Sequence, residues 1–299
     1  MLLDLLSDAR REPAECLIKV DGEEITDLYP FLSEVTVEAS RAEATVATLR
    51  FESRRDEEGE WAVQDAGVFR TWARISIEAA FGQSSEEIMR GYVREVNTDH
   101  PRDGNATVTV ECQDESIALD RQHRRRVWGG DAPTDDAAIV GEIVASHALS
   151  PHPDNADGQT ELVLNQDGTD IAFLRERSRA NGYELVFATG EVYFGPWRVD
   201  AEPQATILVQ AGTDTNCISF STASDGHQPD AVLVETAEAE GDGVSAQTIE
   251  PDLPLMGPES ADSSGSGLEA FTWRMSREGG SDPVALAAAA RRRANELSM

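Results

Sequence analysis

Lysine is almost missing from this chain. Lys19 is the only one in 299 residues, and every other fixed positive charge is an arginine. Cysteine is scarce as well: Cys16, Cys112 and Cys217 are odd in number, far apart, and show no Cys-x-x-Cys or Cys/His spacing. That excludes a disulfide framework and a thiolate metal site, and predicts small buried hydrophobes in a reducing compartment. No apolar run reaches the roughly 18 residues of a membrane-spanning helix, so no stable membrane insertion is expected. The start, MLLDLLSDARREP, places Asp4 and Asp8 inside its apolar stretch, which is too polar for a signal peptide. Leu2, Leu3, Leu5 and Leu6 instead suggest a short amphipathic docking segment over residues 1–16, ended by Pro13.

Catalytic signatures are missing too. The chain has no G-x-S-x-G, H-E-x-x-H, P-loop or G-x-G-x-x-G motif. Its five histidines (His100, His123, His147, His152 and His227) are scattered. The Asp/Asn-rich stretch SPHPDNADGQ does not keep the register of a calcium loop. With 56 acidic residues, chance carboxylate pairs are expected, so spacing alone identifies no glycosidase pair. No catalytic, cofactor-binding or metal-binding residue is assigned, and no cofactor is expected.

What the chain has in abundance is negative charge, −31 net, with 25 basic residues against those 56 acidic ones. Carboxylates at this density repel one another until salt of about 1 M shrinks the screening length to roughly 3 Å. The surface resembles that of proteins from extreme halophiles; an acidic mesophilic protein is the plainer alternative. It argues against nucleic-acid sequence recognition, since phosphate binding needs dense Lys and Arg. Hydrophobic residues still make up 40% of the chain, enough to build cores.

Alternation dominates the first third. Residues 17–120 read as a first antiparallel β-barrel or sandwich. LIKV-DG-EEI is a hairpin whose Asp-Gly turn needs positive φ. Val35 and Val37, then Ala47, Leu49 and Phe51, then Ala73, Ile75 and Ile77, then Val108, Val110 and Cys112 each fall on one strand face. Residues 121–200 read as a connector. It begins with a dense positive patch, RQHRRRVW, where Arg121, Arg124, Arg125, Arg126 and Trp128 are candidate interface residues. Arginine suits bidentate pairing with the carboxylates of an acidic partner; a solvated connector offsetting local charge is the plainer reading. A helix capped at Thr134 follows, with Ile139, Val140, Ile143, Val144 and His147 on one face.

The run LNQDGTDIAFLRERSRANGYELVFATGEVYFGP packs a turn, a helix and a hairpin together. Thr169 or Asp170 can cap the helix, and Asn181-Gly182 can end it in a left-handed turn. A helix this short needs packing to survive. Phe173, Leu174, Tyr183, Leu185 and Phe187 are therefore candidate residues for packing between domains; ordinary core is the plainer reading. Residues 201–299 read as a second β set from ATILVQ, NCISFSTAS, DAVLVETAEAE and SAQTIE, a Pro/Ser/Gly-rich loop over 251–267, a possible strand in LEAFTWRM, and an Ala-rich helix capped by Ser281 or Asp282.

Two segments sharpen this order into a resemblance. The central run Gln166, Gly168, Asp170, Phe173, Leu174, Gly182, Tyr183, Leu185 and Phe187, and the strand RGYVREVN with its G-x-V-x-x-V spacing, resemble the baseplate hub family of contractile injection machines. That family takes in phage late control protein D, the hub half of VgrG proteins and the central hub of contractile-tailed phages. The resemblance covers about Leu17 to Leu297. It implies two similar β-barrels joined by a helix-hairpin segment, and a homotrimer whose six barrels match a hexameric tail tube on one side and a trimeric spike on the other. Self, tail tube protein, spike protein and other baseplate proteins are then the partners. The location would be a virion or injection-particle baseplate assembled in the cytoplasm of a halophilic host. VgrG proteins continue into an OB-fold and a spike, whereas this sequence stops at Met299, so a separate spike is expected. Family members also place strands after the Ala-rich helix, so another chain or a different closure would complete the second barrel. A tail-associated envelope-degrading hydrolase and a halophilic β-barrel ligand-binding protein are the competing functions.

Overall fold

The structure is a computed structural model and describes residues 14–40, 43–81, 84–102, 105–198, 206–221, 227–237, 244–253, 267–275 and 283–297. The expected docking segment 1–16 lies outside these, apart from its last three residues, which already belong to the first strand. The chain forms two compact units. One comprises Arg11–Arg175 and Glu184–Phe194; the other comprises Met1–Arg10, Glu176–Tyr183 and Gly195–Met299. Most of the expected connector thus counts with the first unit.

The first unit is built on seven strands: β1 Ala14–Val20, β2 Glu23–Glu24, β3 Leu32–Glu38, β4 Val46–Ser53, β5 Arg74–Phe81, β6 Ser84–Asp99 and β7 Ala106–Asp114. They pair in the order β2-β1-β5-β6-β7-β4-β3, antiparallel throughout, and the sheet curls into a half-barrel. The period-two pattern explains why. Leu49, Phe51, Ile77 and Val110 have no exposed surface, and Ala47, Ile75, Val108 and Cys112 have almost none, while their chain neighbours face outward or are half-buried. Burying one such side chain contributes about 1.5–3 kcal/mol. Asp21 and Gly22 have φ of 50° and 89°, the left-handed turn that the Asp-Gly pair predicts. The 3-10 turn Thr26–Phe31 brings Tyr29 back over the core, where its hydroxyl accepts the Ile18 N–H at 2.9 Å. On the outer face the Lys19 ammonium donates to Glu78 at 2.6 Å. Gly91 of the G-x-V-x-x-V strand lies where β6 presses on β7: a Cβ there would sit 2.0 Å from the Gln113 carbonyl oxygen.

Beyond the half-barrel come α1 Ser116–Leu119, β8 His123–Trp128, α2 Asp136–Ser146, β9 Ser150–Pro151, β10 Leu164–Thr169, α3 Asp170–Asn181, β11 Glu184–Ala188 and β12 Glu191–Gly195. β8 and β10 form a two-stranded ribbon, and β11-β12-β9 a small sheet. The N-cap of α2 is Asp135 rather than Thr134: its carboxylate accepts the Ala138 N–H at 2.7 Å, while Thr134 bridges to Leu162. Ile139, Val140, Ile143 and Val144 are buried, as their spacing predicts. The turn of the β11–β12 hairpin is Thr189-Gly190, with φ of 53° and 81°.

In the second unit, β13 Ala231–Ala237 is flanked by antiparallel β14 Val244–Ile249 and parallel β15 Thr272–Met275. The helix α4, Pro283–Leu297, lays Leu286, Ala290 and Ala294 on Val232, Val234 and Ile249. Pro283 opens it; its expected caps, Ser281 and Asp282, lie outside the described residues. So does most of the loop 251–267. The described residues of this unit form a three-stranded sheet under a helix, not a second barrel. Two expected strands are not strands. Residues 206–210 and 216–221 alternate correctly but pair with no strand among the described residues, and Ile207, Val209, Ile218 and Phe220 are exposed. Asn216 takes the ladder positions instead, accepting the Leu208 N–H at 2.7 Å and donating to the Thr206 carbonyl at 2.9 Å. The end of α3 counts with this unit. Gly182, at φ 65°, closes it with Tyr183 N–H on the Ser178 carbonyl and its own N–H on Arg179, the double bond pattern of a Schellman cap.

Candidate interaction surface

The arginine patch is a strand. β8 runs antiparallel to β10 with Arg124 opposite Gly168, Arg125 opposite Asp167, Arg126 opposite Gln166 and Trp128 opposite Leu164. Alternation then sorts the side chains. His123, Arg125 and Val127 face outward and are 64%, 82% and 57% exposed. Trp128, on the other face, is 4% exposed.

The inner face is a connected polar network. The Trp128 indole stacks on Phe173 of α3, with rings 6.2 Å apart and 5° from parallel, and its Nε1 donates to Gln166 Oε1 at 3.0 Å. The Gln166 amide in turn donates to Asp170 Oδ1 at 2.8 Å. His147 Nε2 lies 2.8 Å from Asp170 Oδ2, and Arg124 Nε 3.1 Å from the same oxygen. The Arg124 N–H is close enough for an ion pair but is not aimed for a hydrogen bond. Asp170 is buried, so these neighbours are what makes its carboxylate tolerable there. The Arg126 guanidinium lies 3.6 Å over the Trp128 ring and pairs with Glu142 at 2.6 Å. On the outer face, Asp167 sits between Arg125 at 3.0 Å and His123 at 2.6 Å. Hydrogen bonds from Arg125 first, then His123, hold its carboxyl below the usual range.

Arg121 leaves the ribbon. Its guanidinium stacks 4.2 Å over Trp72, which is 42% exposed and held at φ 71°, a costly conformation for a bulky side chain.

The candidate packing residues are also divided. Phe173 and Leu174 are buried on α3, Phe173 under Trp128. Tyr183 belongs to the second unit, where Arg292 donates to its carbonyl. Leu185 and Phe187 are half-buried on β11 in the first unit. Phe187 lines a cavity of about 40 Å3 with Thr45, Glu87, Arg90, Asp114 and Thr189, room for a water rather than a substrate. Sequence reasoning missed the roles of His147 and Asp170. The Gln166-to-Asp170 spacing of four residues was a signal, but His147 comes from the far end of α2, as its C-cap. Among the described residues no group of three or more His, Cys, Asp or Glu side chains could hold a metal ion.

This architecture is that of phage tail proteins. The chain superposes on the 43 kDa tail protein of prophage MuSo2 from Shewanella oneidensis with a TM-score of 0.63, at 12% identity, covering 94% of this chain and 77% of that one. It matches the tail protein from Neisseria meningitidis MC58 with a TM-score of 0.55, at 11% identity, covering 87% and 70%. By sequence the chain belongs to the Alg8 N-terminal domain family, whose model matches residues 11–292. That is a different name from the hub family its motifs resemble. No curated protein matches it by sequence.

Proposed function

We propose that this protein is the baseplate hub of a contractile tail or injection machine. In this reading it is a homotrimer that joins a hexameric tail tube to a trimeric spike and contacts other baseplate proteins. Its work is mechanical: it holds spike to tube while the sheath contracts, so its interfaces are broad and obligate. It is a structural protein rather than an enzyme. The observation that carries the reading is the tail-protein fold, which extends over 94% of the chain. The motif order over Leu17 to Leu297 supports it. The acid-rich, lysine-poor surface supports a halophilic host or its virus, with assembly in the host cytoplasm.

Within the hub, the β8–β10 ribbon is the contact for an acidic neighbour: Arg125 meets it from the outer face, while Arg124 and Arg126, on the opposite face, add charge from the ribbon's edge. Arg121 extends it through Trp72, and Trp128 anchors the ribbon from beneath. Phe173, Leu174, Tyr183, Leu185 and Phe187 brace the segment that joins the two units. Light scattering in about 2 M salt tests the reading, since salt at this level screens the surface charge. The expected mass is three times the 32.4 kDa of one chain, with co-sedimentation on assembled tail tubes. A monomer that ignores tube protein at every salt concentration defeats it.

A further inference from the structure

We propose that the free edge of β8 in one copy receives β3 of a second copy, joining two sheets across the subunit boundary. The inference deepens the assembly reading above and rests on it only in assuming that copies associate.

Both strands are edges. Among the described residues, β8 hydrogen-bonds to β10 alone, and β3 to β4 alone. Among the described residues, no backbone group bonds the outer edge of His123–Trp128 or of Ser33–Glu38. An open edge is a template for another strand unless something repels it. Proline, bulges and like charges are the usual protections. β8 has neither a proline nor a break in its register, and the one break in β3, between Leu32 and Glu34, leaves its run from Glu34 to Glu38 regular.

Its charge has the wrong sign to repel a copy of itself. Three consecutive arginines would keep a basic protein away. On a chain of net charge −31 they attract a second molecule. Each guanidinium carries five N–H donors and is only partly used by Asp170, Asp167 or Glu142.

β3 is the complement. Glu34, Thr36 and Glu38 share its exposed face, and Val35 and Val37 lie half-buried on the other. Neither Glu34 nor Glu38 has an ion-pair partner among the described residues. With the strands side by side and antiparallel, a register that sets Arg125 opposite Glu38 sets Val127 opposite Thr36. Both edges lie in the first unit, so every copy offers one of each. Such a contact joins different surfaces head to tail, which closes into a ring when the rotation allows.

The test is charge exchange in the full chain, read by sedimentation velocity over a concentration series in low and high salt. Arg125→Glu and, separately, Glu34→Arg with Glu38→Arg are each expected to weaken association roughly tenfold or more. The three substitutions together are expected to restore it. The β3 pair lies on exposed positions, so its effect does not depend on the ribbon tolerating Arg125→Glu. If the β3 variant associates as tightly as the parent, or the triple variant stays dissociated, the inference is overturned while a trimeric parent leaves the hub reading intact. A parent that is monomeric throughout overturns both.

Discussion

Asp114 sits at the end of β7 with 6% of its surface exposed, accepting N–H groups of Thr45 at 2.6 Å and Ser116 at 3.0 Å. Burial pushes its carboxyl above the usual 3.8, against the pull of those bonds, and burial also lifts neighbouring Glu115 above 4.5. The folded chain therefore binds these protons more tightly than the unfolded chain does. Their contribution to stability is complete below the ordinary values and lost as pH rises through the raised ones. Asp167 and Glu78 are shifted downward, so their contributions fade only at lower pH and do not oppose this trend. The first unit should melt at higher temperature as pH is lowered from neutral toward the ordinary carboxylate range, and Asp114→Asn should flatten that slope. Thermal melts across that range check it; an unchanged slope in the variant refutes the assignment.

At the scale of elements, two glycines give opposite predictions. A Cβ on Gly91 would meet the Gln113 oxygen at 2.0 Å and the Asp114 Cα at 2.6 Å, both backbone atoms fixed in the β6–β7 ladder. Gly91→Ala should cost about 1–3 kcal/mol. Gly141 lies inside α2 with no atom within 4 Å of an added Cβ, so Gly141→Ala should add about 0.5–1 kcal/mol. Urea unfolding of both variants gives the sign of each. The same contrast shows what was legible in the sequence. Alternation gave the faces of β4, β5 and β7 residue by residue, because each strand has a sheet to bury it. It misled at 206–210 and 216–221, where the pattern exists but no strand among the described residues pairs with it. The Arg patch was visible as charge, yet not as a strand edge. The buried Asp170 network was not visible, since Arg124, His147 and Gln166 reach it from three different elements.

For the whole molecule, net charge governs. At −31 the folded chain carries a self-repulsion that acts over about 10 Å in 0.1 M salt and about 3 Å in 1 M. Melting temperature should climb steeply between those concentrations and then level off, similarly in NaCl and KCl; a flat response would refute the repulsion account. Lys19 supplies a different consequence. Its ammonium is the only side-chain amine in the protein, and its hydrogen bond to Glu78 raises its pKa. An acylating dye can therefore attach to no other side-chain amine, and the labelling rate at that residue becomes a gauge of whether strands β1 and β5 are still zipped.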